Sequence, residues 1–408
     1  MKIALLHYSA PPVVGGVESV LAHHARLMTA GGHQVTILAG RGETFDASIP
    51  VYLLPRLDSR YPEVLQVKAA LDQGQVPLTF DWLREKIKQE LLDVLPGFNV
   101  LIVHNVASLH KNLPLTAAIH DAYQLEGFPR LVIWHHDLAW TTPRYKHELY
   151  DGYPWDLLRL CWKGVTQVVV SELRRRELVK LMDIPDEEVH VIPNGVDLNA
   201  FYKLRPRTIE FAEQLRLSEA DPLLLLPVRL TPRKNIELAL RVLYELRKQL
   251  PHAMLLVTGP QGPHNPANTA YKQKLLDLRD ELNLQGAAHF LAEVTPDFLP
   301  DEMIADFYRL ADALLFPSRE EGFGIPIIEA AFSKMPVFCS DLPVLRELGG
   351  EEVSYFDPDD EPALIAAQIL ARLEGELTLR WARRAKHDYT WDSIYQLFIE
   401  PLIKELAK

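Results

Sequence analysis

Cysteine is almost absent from this sequence, which has only Cys161 and Cys339 among its 408 residues. Two thiols so far apart in sequence offer neither a disulfide framework nor a cysteine-based zinc site, and they suit a reducing compartment. No apolar run approaches the ~18 residues that a membrane-spanning helix requires. The start, Met1–His7, turns polar too soon for a signal peptide. We therefore expect a cytoplasmic protein, with peripheral membrane contact left open.

Positive charge is also in short supply. The chain has 43 Lys and Arg against 55 Asp and Glu, a formal net charge of −12. A chain this acidic is a poor nucleic-acid binder, so no nucleic-acid partner is expected. Residues 1–205 carry 21 basic and 23 acidic residues, so most of the deficit lies in residues 206–408. The N-terminal half is therefore the better candidate for contact with an anionic membrane surface.

The pattern that is present is an alternation of short apolar runs with longer stretches of helical period. Such alternation predicts an α/β protein with parallel sheets covered by helices on both faces. The strand candidates of the first half are Lys2–His7, Val35–Ala39, Val51–Pro55, Val100–His104, Arg130–Trp134, Gln167–Val170 and Val189–Ile192. Those of the second half are Leu223–Val228, Leu255–Gly259, His289–Leu291, Ala313–Phe316, Val337–Cys339 and Val353–Phe356.

A break in this alternation indicates two domains. The turn Pro193–Asp197 and the linker-like segment Tyr202–Arg207 separate the two sets of strands. We predict a doubly wound domain over residues 1–203, a second over residues 204–388, and a terminal helix in residues 389–408 that crosses back to the first. Ligands of such sheets bind outside the carboxyl ends of the strands, so a cleft between the domains is expected.

The most informative segment runs from Pro317 to Ala331 and contains Gly322-Phe323-Gly324 between a strand and a helix. Free amides at the helix start form an anion site, and the two glycines remove side chains that would obstruct a phosphate. Glu321 lies in the loop and Glu329 lies in the helix, where two carboxylates can accept hydrogen bonds from sugar hydroxyls on either side of a diphosphate.

Two further strand ends in the second half carry candidate phosphate contacts. Val228–Asn235 contains Arg229, Arg233 and Lys234, which can neutralise a diphosphate. The glycine turn Val257–Pro263, which includes Gly259, is a weaker signal on its own.

The first half offers a glycine pair and a histidine motif. Gly15-Gly16 precedes a helix but does not match the Gly-x-Gly-x-x-Gly fingerprint, which argues against a dehydrogenase. Strand Arg130–Trp134 ends in His135-His136-Asp137. Adjacent side chains on an extended chain point in opposite directions and no other ligand cluster is evident, so we expect no metal site here.

Together these segments resemble the retaining GT-B glycosyltransferases of glycosyltransferase family 4, also described as glycosyl transferases group 1. The resemblance covers nearly the whole chain, and the order and spacing of its motifs are more specific than any one of them. The motifs are Gly15-Gly16, His136-Asp137, Val170-Ser171-Glu172, Ile192–Asp197, Arg229 with Lys234, and Glu321–Gly324 through Glu329. The family's glycine before the arginine is replaced by Val228.

The resemblance implies a GT-B fold of two Rossmann-like domains facing a central cleft, with acceptor binding in the first and nucleotide-sugar binding in the second. It implies that Arg229 and Lys234 hold the donor diphosphate and that Glu321 contacts the transferred hexose. Glu329 would bind the ribose hydroxyls, and His136 would lie near the sugar.

The other residues expected to contact substrate are glycines and their neighbours in the loops: Gly15, Gly16, Gly259, Gly322, Phe323, Gly324 and Ile325. The expected activity is metal-independent transfer of a hexose from a nucleoside diphosphate sugar to a hydroxyl acceptor, with retention of configuration and no other cofactor. The acceptor is a sugar, a lipid-linked molecule or a small molecule. Two alternatives stay open: a sugar-nucleotide epimerase of the same fold and a non-catalytic subunit that binds nucleotide sugars.

Overall fold

The computed structural model describes residues 1–260 and 267–408, so Gln261, Gly262 and Pro263 of the predicted glycine turn lie outside the described residues. The chain forms two compact units, Met1–Gly195 with Trp391–Lys408, and Val196–Thr390.

The division between the units falls earlier than the sequence-based division between residues 203 and 204. Val196 forms a parallel bridge with Thr390, and its amide donates to the Tyr389 carbonyl at 2.8 Å. The linker-like segment is partly helical: Leu198 and Tyr202 lie on a short helix and pack on the core of the second unit. Because these two side chains pack on that core, the linker-like segment is part of the second unit.

The first unit is built on a seven-stranded sheet in which every pairing is parallel. Its strands are β1 Lys2–His7, β2 Gln34–Ala39, β3 Val51–Leu53, β4 Val100–His104, β5 Arg130–His135, β6 Thr166–Val169 and β7 Val189–Val191. Their order across the sheet is β3-β2-β1-β4-β5-β6-β7. The first helices of this unit are α1 Gly16–Ala30, α2 Pro62–Leu71, α3 Thr79–Val94, α4 Leu113–Ala122 and α5 Glu172–Met182.

The second unit has a six-stranded parallel sheet of order β10-β9-β8-β11-β12-β13. Its strands are β8 Leu223–Leu226, β9 Met254–Val257, β10 Ala288–Phe290, β11 Ala313–Phe316, β12 Val337–Ser340 and β13 Ser354–Phe356. Its helices are α6 Leu198–Tyr202, α7 Pro206–Gln214, α8 Ile236–Arg247, α9 Ala267–Glu281, α10 Leu291–Val294, α11 Asp301–Leu310, α12 Ile325–Phe332, α13 Pro343–Gly349, α14 Pro362–Gly375 and α15 Leu377–Asp388.

Both sheets are covered by helices because their strands are apolar on both faces. All residues of β4, β8 and β11 are buried, as continuous Val, Leu and Ile runs require in a parallel sheet. The structure thus confirms the predicted α/β class. No helix in the described part of the chain has the length and apolar composition that crossing a membrane requires.

The C-terminal segment belongs to the first unit. Helix α16 (Trp391–Ile394), a π-helical turn (Tyr395–Ile399) and helix α17 (Glu400–Leu406) follow one another. Their apolar side chains join the core formed by α1 and the β-sheet. Arg130 anchors the end of this segment by donating from Nη1 to the Leu406 carbonyl at 2.6 Å.

A fully buried histidine sits in that core. The ring of His24 on α1 lies with its centroid 4.6 Å from that of Trp134 and 5.5 Å from that of Trp391. Neither of its ring nitrogens has a hydrogen-bond partner among the described residues. Burial lowers the pKa of His24 to about 3, with nearby His23 adding to the shift.

This burial makes the first unit sensitive to acid. A histidine in the unfolded chain binds a proton below about pH 6.5, whereas folded His24 resists protonation down to about pH 3. The unfolded state therefore binds more protons in this window, and stability is lost as the pH falls through it. His24→Phe should reduce the loss of unfolding free energy between pH 7.5 and pH 5 by about 1.4 kcal/mol per pH unit at most.

Urea unfolding followed by tryptophan fluorescence measures this effect, because six of the seven tryptophans lie in the first unit. Exposed His147 provides the control: His147→Leu should leave the pH dependence as in the wild type. A His24→Phe protein that loses stability in acid as steeply as the wild type would contradict the prediction.

Candidate functional site

A cavity of about 250 Å³ opens at the carboxyl ends of β8 and β9 in the second unit. Its walls come from the loops after these two strands, the segment before α11 with the first turn of that helix, and the first turns of α12. The lining residues are Pro227, Val228, Arg229, Thr258, Gly259, Pro260, Phe298, Leu299, Ile304, Ile325, Pro326 and Glu329. Four predicted site residues, Arg229, Gly259, Ile325 and Glu329, therefore line one cavity.

The cavity lies where the strand order of the sheet reverses. Strand β8 is flanked by β9 on one side and β11 on the other, so the connections from β8 and β11 run to opposite sides. This reversal is the usual position of a ligand crevice in a doubly wound sheet.

Two glycines at this site are required by the fold itself. A Cβ on Gly259 would lie 2.0 Å from the Val228 carbonyl oxygen, so the loops after β8 and β9 touch backbone to backbone. Gly324 caps the start of α12 with φ +105°, and a Cβ there would lie 2.5 Å from the Leu345 side chain. No described side chain caps the start of α12. Pro326 has no amide hydrogen and the Ile327 amide donates to the Gly324 carbonyl at 3.1 Å, so the amides that remain for a ligand at this helix start are those of Gly324 and Ile325.

At Gly322 neither the surrounding space nor the backbone conformation requires a glycine. A Cβ there meets no described atom within 4 Å, and its φ is not positive. The neighbouring side chains of Phe323 and Ile325 are exposed. The loop around Gly322 is therefore open on its outer side, as close approach of a ligand would require.

Lys234 and Glu321 form a nearly buried ion pair beside this loop. The Lys234 ammonium donates to Glu321 Oε1, and Arg233 Nη1 lies 3.8 Å from Glu321 Oε2. Lys234 Nζ also stands 5.2 Å from the centre of the Phe316 ring. Burial lowers the pKa of Lys234, and the bond to Glu321 opposes that shift. The structure thus joins two predicted site residues directly to one another.

Arg229 differs from Lys234 in its surroundings. Its side chain is exposed and lines the cavity, and no described residue forms a hydrogen bond or an ion pair with it. Arg229 is accordingly the cation that an anion entering this cavity would meet without displacing a partner.

In the first unit, His136 is held by the end of β4. Its amide and that of Asp137 donate to Asn105 Oδ1 at 2.8 and 3.1 Å. Its Nε2 lies 3.1 Å from His104 Nδ1, so one ring donates to the other. Burial, with smaller contributions from neighbouring histidines, lowers the pKa of His136 to about 3, so the ring is neutral at pH 7. His135 instead lies 2.6 Å from Ser108 and 2.8 Å from Gln167.

The glycine pair of the first unit accommodates a carboxylate. A Cβ on Gly15 would lie 2.1 Å from Glu18 Oε2, whereas one on Gly16 would meet nothing within 4 Å. Glu18 accepts a hydrogen bond from Ser9 Oγ at 2.6 Å, and its Oε1 lies 3.9 Å from His7 Nε2. The start of α1 therefore presents a hydrogen-bond acceptor near His7, which contacts the His104 carbonyl at 2.8 Å.

One group of possible metal ligands occurs elsewhere among the described residues: Asp72, His110 and Glu148. Lys68 Nζ lies 2.6 Å from Asp72 Oδ1 and 3.1 Å from Glu148 Oε2, and His110 Nε2 lies 2.6 Å from the same Glu148 oxygen. Because the Lys68 ammonium already bridges the two carboxylates, we interpret the cluster as an ion-pair network that joins α2 to the segment before Leu149.

Several residues at these sites were not singled out from the sequence. Glu18 is an acidic residue in the first helical turn after the glycine pair, and this position is the local signal by which it could have been found. His104 ends an apolar strand, and Tyr308 and Phe298 lie in or before an amphipathic helix. The sequence patterns around these three predict core or surface positions and carry no functional signal.

Comparison with known protein families identifies the class of protein to which these two units belong. Residues 14–200 match the family model described as Glycosyltransferase Family 4, and residues 208–388 match the model described as Glycosyl transferases group 1. Two such matches, on two parallel-sheet units, define a GT-B glycosyltransferase. The chain belongs to glycosyltransferase family 4, which confirms the family and the GT-B fold inferred from the sequence, while retention of configuration stays a prediction.

Curated relatives carry glycosyltransferase names. The chain is 28% identical to mannosylglucosylglycerate synthase of Petrotoga mobilis over 293 residues, 66% of this chain and 66% of that protein. It is 24% identical to MMP alpha-(1->4)-mannosyltransferase of Mycolicibacterium hassiacum over an alignment covering 100% of this chain and 99% of that one. It is 30% identical to D-inositol 3-phosphate glycosyltransferase of Jonesia denitrificans, over 55% of this chain and 53% of that protein.

The two kinds of glycine at the site should respond differently to substitution. Gly259→Ala should lower the free energy of unfolding by about 1–3 kcal/mol, because its methyl group would force apart two backbone segments. Gly322→Ala should leave the unfolding free energy within about 0.5 kcal/mol of the wild type yet weaken binding of a nucleoside diphosphate about tenfold. Urea unfolding followed by circular dichroism, and calorimetric titration with UDP, GDP and ADP, measure the two effects. Unchanged binding in Gly322→Ala would mean that no ligand approaches that position.

Proposed function

We propose that this glycosyltransferase moves a hexose from a nucleoside diphosphate sugar to a hydroxyl acceptor, with retention of anomeric configuration. We further propose that it needs neither a metal ion nor a cofactor besides the donor substrate. The observation that carries the proposal is the cavity at the reversal point of the second sheet, with Arg229 and Glu329 in its wall. The Lys234–Glu321 pair belongs to the same set of strand-end loops.

The cations and amides of the second unit suit a diphosphate leaving group. The planar guanidinium of Arg229 has no partner among the described residues, and no described side chain caps the Gly324 and Ile325 amides at the start of α12. Lys234 supplies a second charge once it exchanges Glu321 for phosphate oxygen. Preorganised donors of this kind stabilise charge that develops on a departing phosphate, which is the main requirement of the reaction.

The two acids have separate proposed roles. Glu329 accepts hydrogen bonds from the ribose in the cavity, and Glu321 accepts them from hydroxyls of the hexose. The names of the relatives mention mannose and glucose, and we propose one of these two hexoses as the transferred group.

The proposed acceptor site belongs to the first unit. Glu18 places a carboxylate at the start of α1, where it suits a hydroxyl group better than an anion. His136 is neutral, and Nδ1, the ring nitrogen that is not bonded to His104, suits hydrogen bonding to a sugar without adding charge. A sugar, a lipid-linked molecule or a small polyol each offers such a hydroxyl. If the acceptor is lipid-linked, we propose that this unit also makes peripheral contact with a membrane.

Retention follows in this proposal from attack on the same face of the sugar that the diphosphate leaves. An oxygen of the departing phosphate takes the proton of the acceptor hydroxyl, so the protein supplies no nucleophile. Arg229 and Lys234 balance the charge that remains on the diphosphate, and Glu321 holds the hexose in place for the attack.

Slow donor hydrolysis tests the proposal without knowledge of the acceptor. The protein is incubated with UDP-glucose, GDP-glucose, ADP-glucose and GDP-mannose, and NMR identifies the anomer of the first hexose released. We expect one donor to release its hexose in the configuration it had in the donor. Glu321→Gln should reduce turnover about tenfold to hundredfold, because a charged hydrogen bond to the hexose is lost. Nucleotide affinity should stay equal or rise, because Lys234 loses its competing partner.

Exposed Glu320 beside it is the matched control, and Glu320→Gln should leave turnover unchanged. Release of the opposite anomer would refute retention. A rearranged nucleotide sugar without released hexose would indicate an epimerase. Donor binding without any turnover, with or without added hydroxyl compounds, would indicate a non-catalytic subunit.

Metal independence is a separate prediction. Turnover should persist in excess EDTA, because two cationic side chains and helix amides are available to the diphosphate. Initial rates before and after chelation measure this. Complete loss of turnover that magnesium or manganese restores would contradict it.

A further inference from the structure

Tyr308 on α11 reaches the acid that the proposed function assigns to the ribose. Its ring is buried, with 3% of its surface exposed. Its hydroxyl lies 2.7 Å from Glu329 Oε2 and 3.2 Å from the Pro326 carbonyl oxygen. A tyrosine outside every motif in this sequence thus contacts a residue inside the most informative one.

The direction of this hydrogen bond follows from its chemistry. A carboxylate and a carbonyl only accept, and the hydroxyl has one proton, so Tyr308 donates and the shorter contact to Glu329 receives most of the bond. Burial raises the pKa of Tyr308, and the Glu329 carboxylate raises it further, so the phenol keeps its proton. Glu329 consequently faces Tyr308 with one of its two carboxyl oxygens engaged.

The second oxygen of Glu329 is available to a ligand. No described residue donates a hydrogen bond to Oε1, and Glu329 lines the 250 Å³ cavity with Arg229 and Gly259. The last torsion of a glutamate side chain is broad, so an unheld carboxylate rotates freely. The bond from Tyr308 removes that freedom before a ligand arrives, which lowers the entropic cost of binding.

We propose that Tyr308 is a positioning residue that holds Glu329 with Oε1 directed at the ribose hydroxyls. In this role it sets the preference of the cavity for ribonucleoside over deoxyribonucleoside diphosphates. The inference rests on the proposed function, because it needs a nucleotide in this cavity. Tyr308 itself touches no substrate and acts through the geometry of Glu329.

The experiment compares ligands that differ only in the groups Glu329 would bind. UDP, GDP and ADP are titrated calorimetrically into the full-length wild type, followed by the 2′,3′-dideoxy form of the tightest binder. Tyr308→Phe keeps the buried ring and removes the hydroxyl. We expect its Kd for the ribonucleotide to rise about five- to tenfold, while its Kd for the dideoxy form changes less than twofold. The ribose preference should therefore shrink by the same factor.

Tyr355→Phe is the matched control, since the Tyr355 hydroxyl donates to the Leu345 carbonyl at 3.2 Å in the same unit. It should leave both Kd values unchanged. In a Glu329→Gln background, Tyr308→Phe should cause no further loss of ribose preference. If the Tyr308→Phe protein fails to fold, Tyr308→Met, which also lacks the hydroxyl, should show the same reduced preference.

An unchanged ribose preference in the Tyr308 variant, or an equal loss for both ligands, would overturn the inference while leaving the proposed function standing. A wild type that binds none of the three nucleotides would refute the proposed function and this inference together. The two failures are thus distinguished by the wild-type titration alone.

Discussion

The reversal of strand order beside the first strand of each sheet is the constraint on which the rest of the structure depends. In the first unit β1 is flanked by β2 and β4, and in the second unit β8 is flanked by β9 and β11. Crossovers between parallel strands are nearly always right-handed, so chains that leave in opposite directions place their helices on opposite faces. A crevice then opens between the loops at the carboxyl ends of the strands. His7 and His104 end such strands in one unit, and the cavity with Arg229 lies there in the other.

The strands of this protein were predictable because parallel sheets buried on both faces need continuous apolar runs. Each predicted strand is present, and no strand end differs from its prediction by more than two residues. Strand β8 ends at Leu226 because Pro227 has no amide to donate, and β3 ends at Leu53 shortly before Pro55 begins a 3-10 helix. The positions of the strands along the chain can therefore be predicted from local sequence. Which strands pair with one another in the sheet depends on packing between distant parts of the chain.

The candidate site was predictable only in part. Residues whose type is unusual for their place in the sequence could be found, whereas residues that contact the site from a distant part of the sequence could not. Loop glycines and strand-end charges such as Gly322 and Arg229 stand out because their residue types are unusual for their local setting. Tyr308 does not, because its neighbours on α11, Met303 and Phe307, are core residues and a tyrosine fits the same stripe. Glu18 makes a contact of this kind: its carboxylate lies where a Cβ on Gly15 would be, whereas the predicted contact of Gly15 with substrate stays a prediction. Only the folded chain reveals such contacts.

The two acids of the second unit differ most in the partner that each already has. Glu321 is paired with the ammonium of Lys234, so a hydroxyl that binds Glu321 competes with a charged hydrogen bond in a nearly buried place. Glu329 is held by a neutral phenol that occupies one oxygen, so a hydroxyl binds the other without displacing anything. A nearly buried ammonium that loses its anion is left without a partner, which is costly. A ligand that needs both oxygens of Glu321 must therefore offer Lys234 a replacement anion. A diphosphate attached to the same molecule as the sugar meets that requirement, whereas a free sugar does not. In the proposed function, the Lys234–Glu321 pair would therefore favour a donor that carries both groups, and Glu329, held by Tyr308, would be the first point of attachment for its nucleoside.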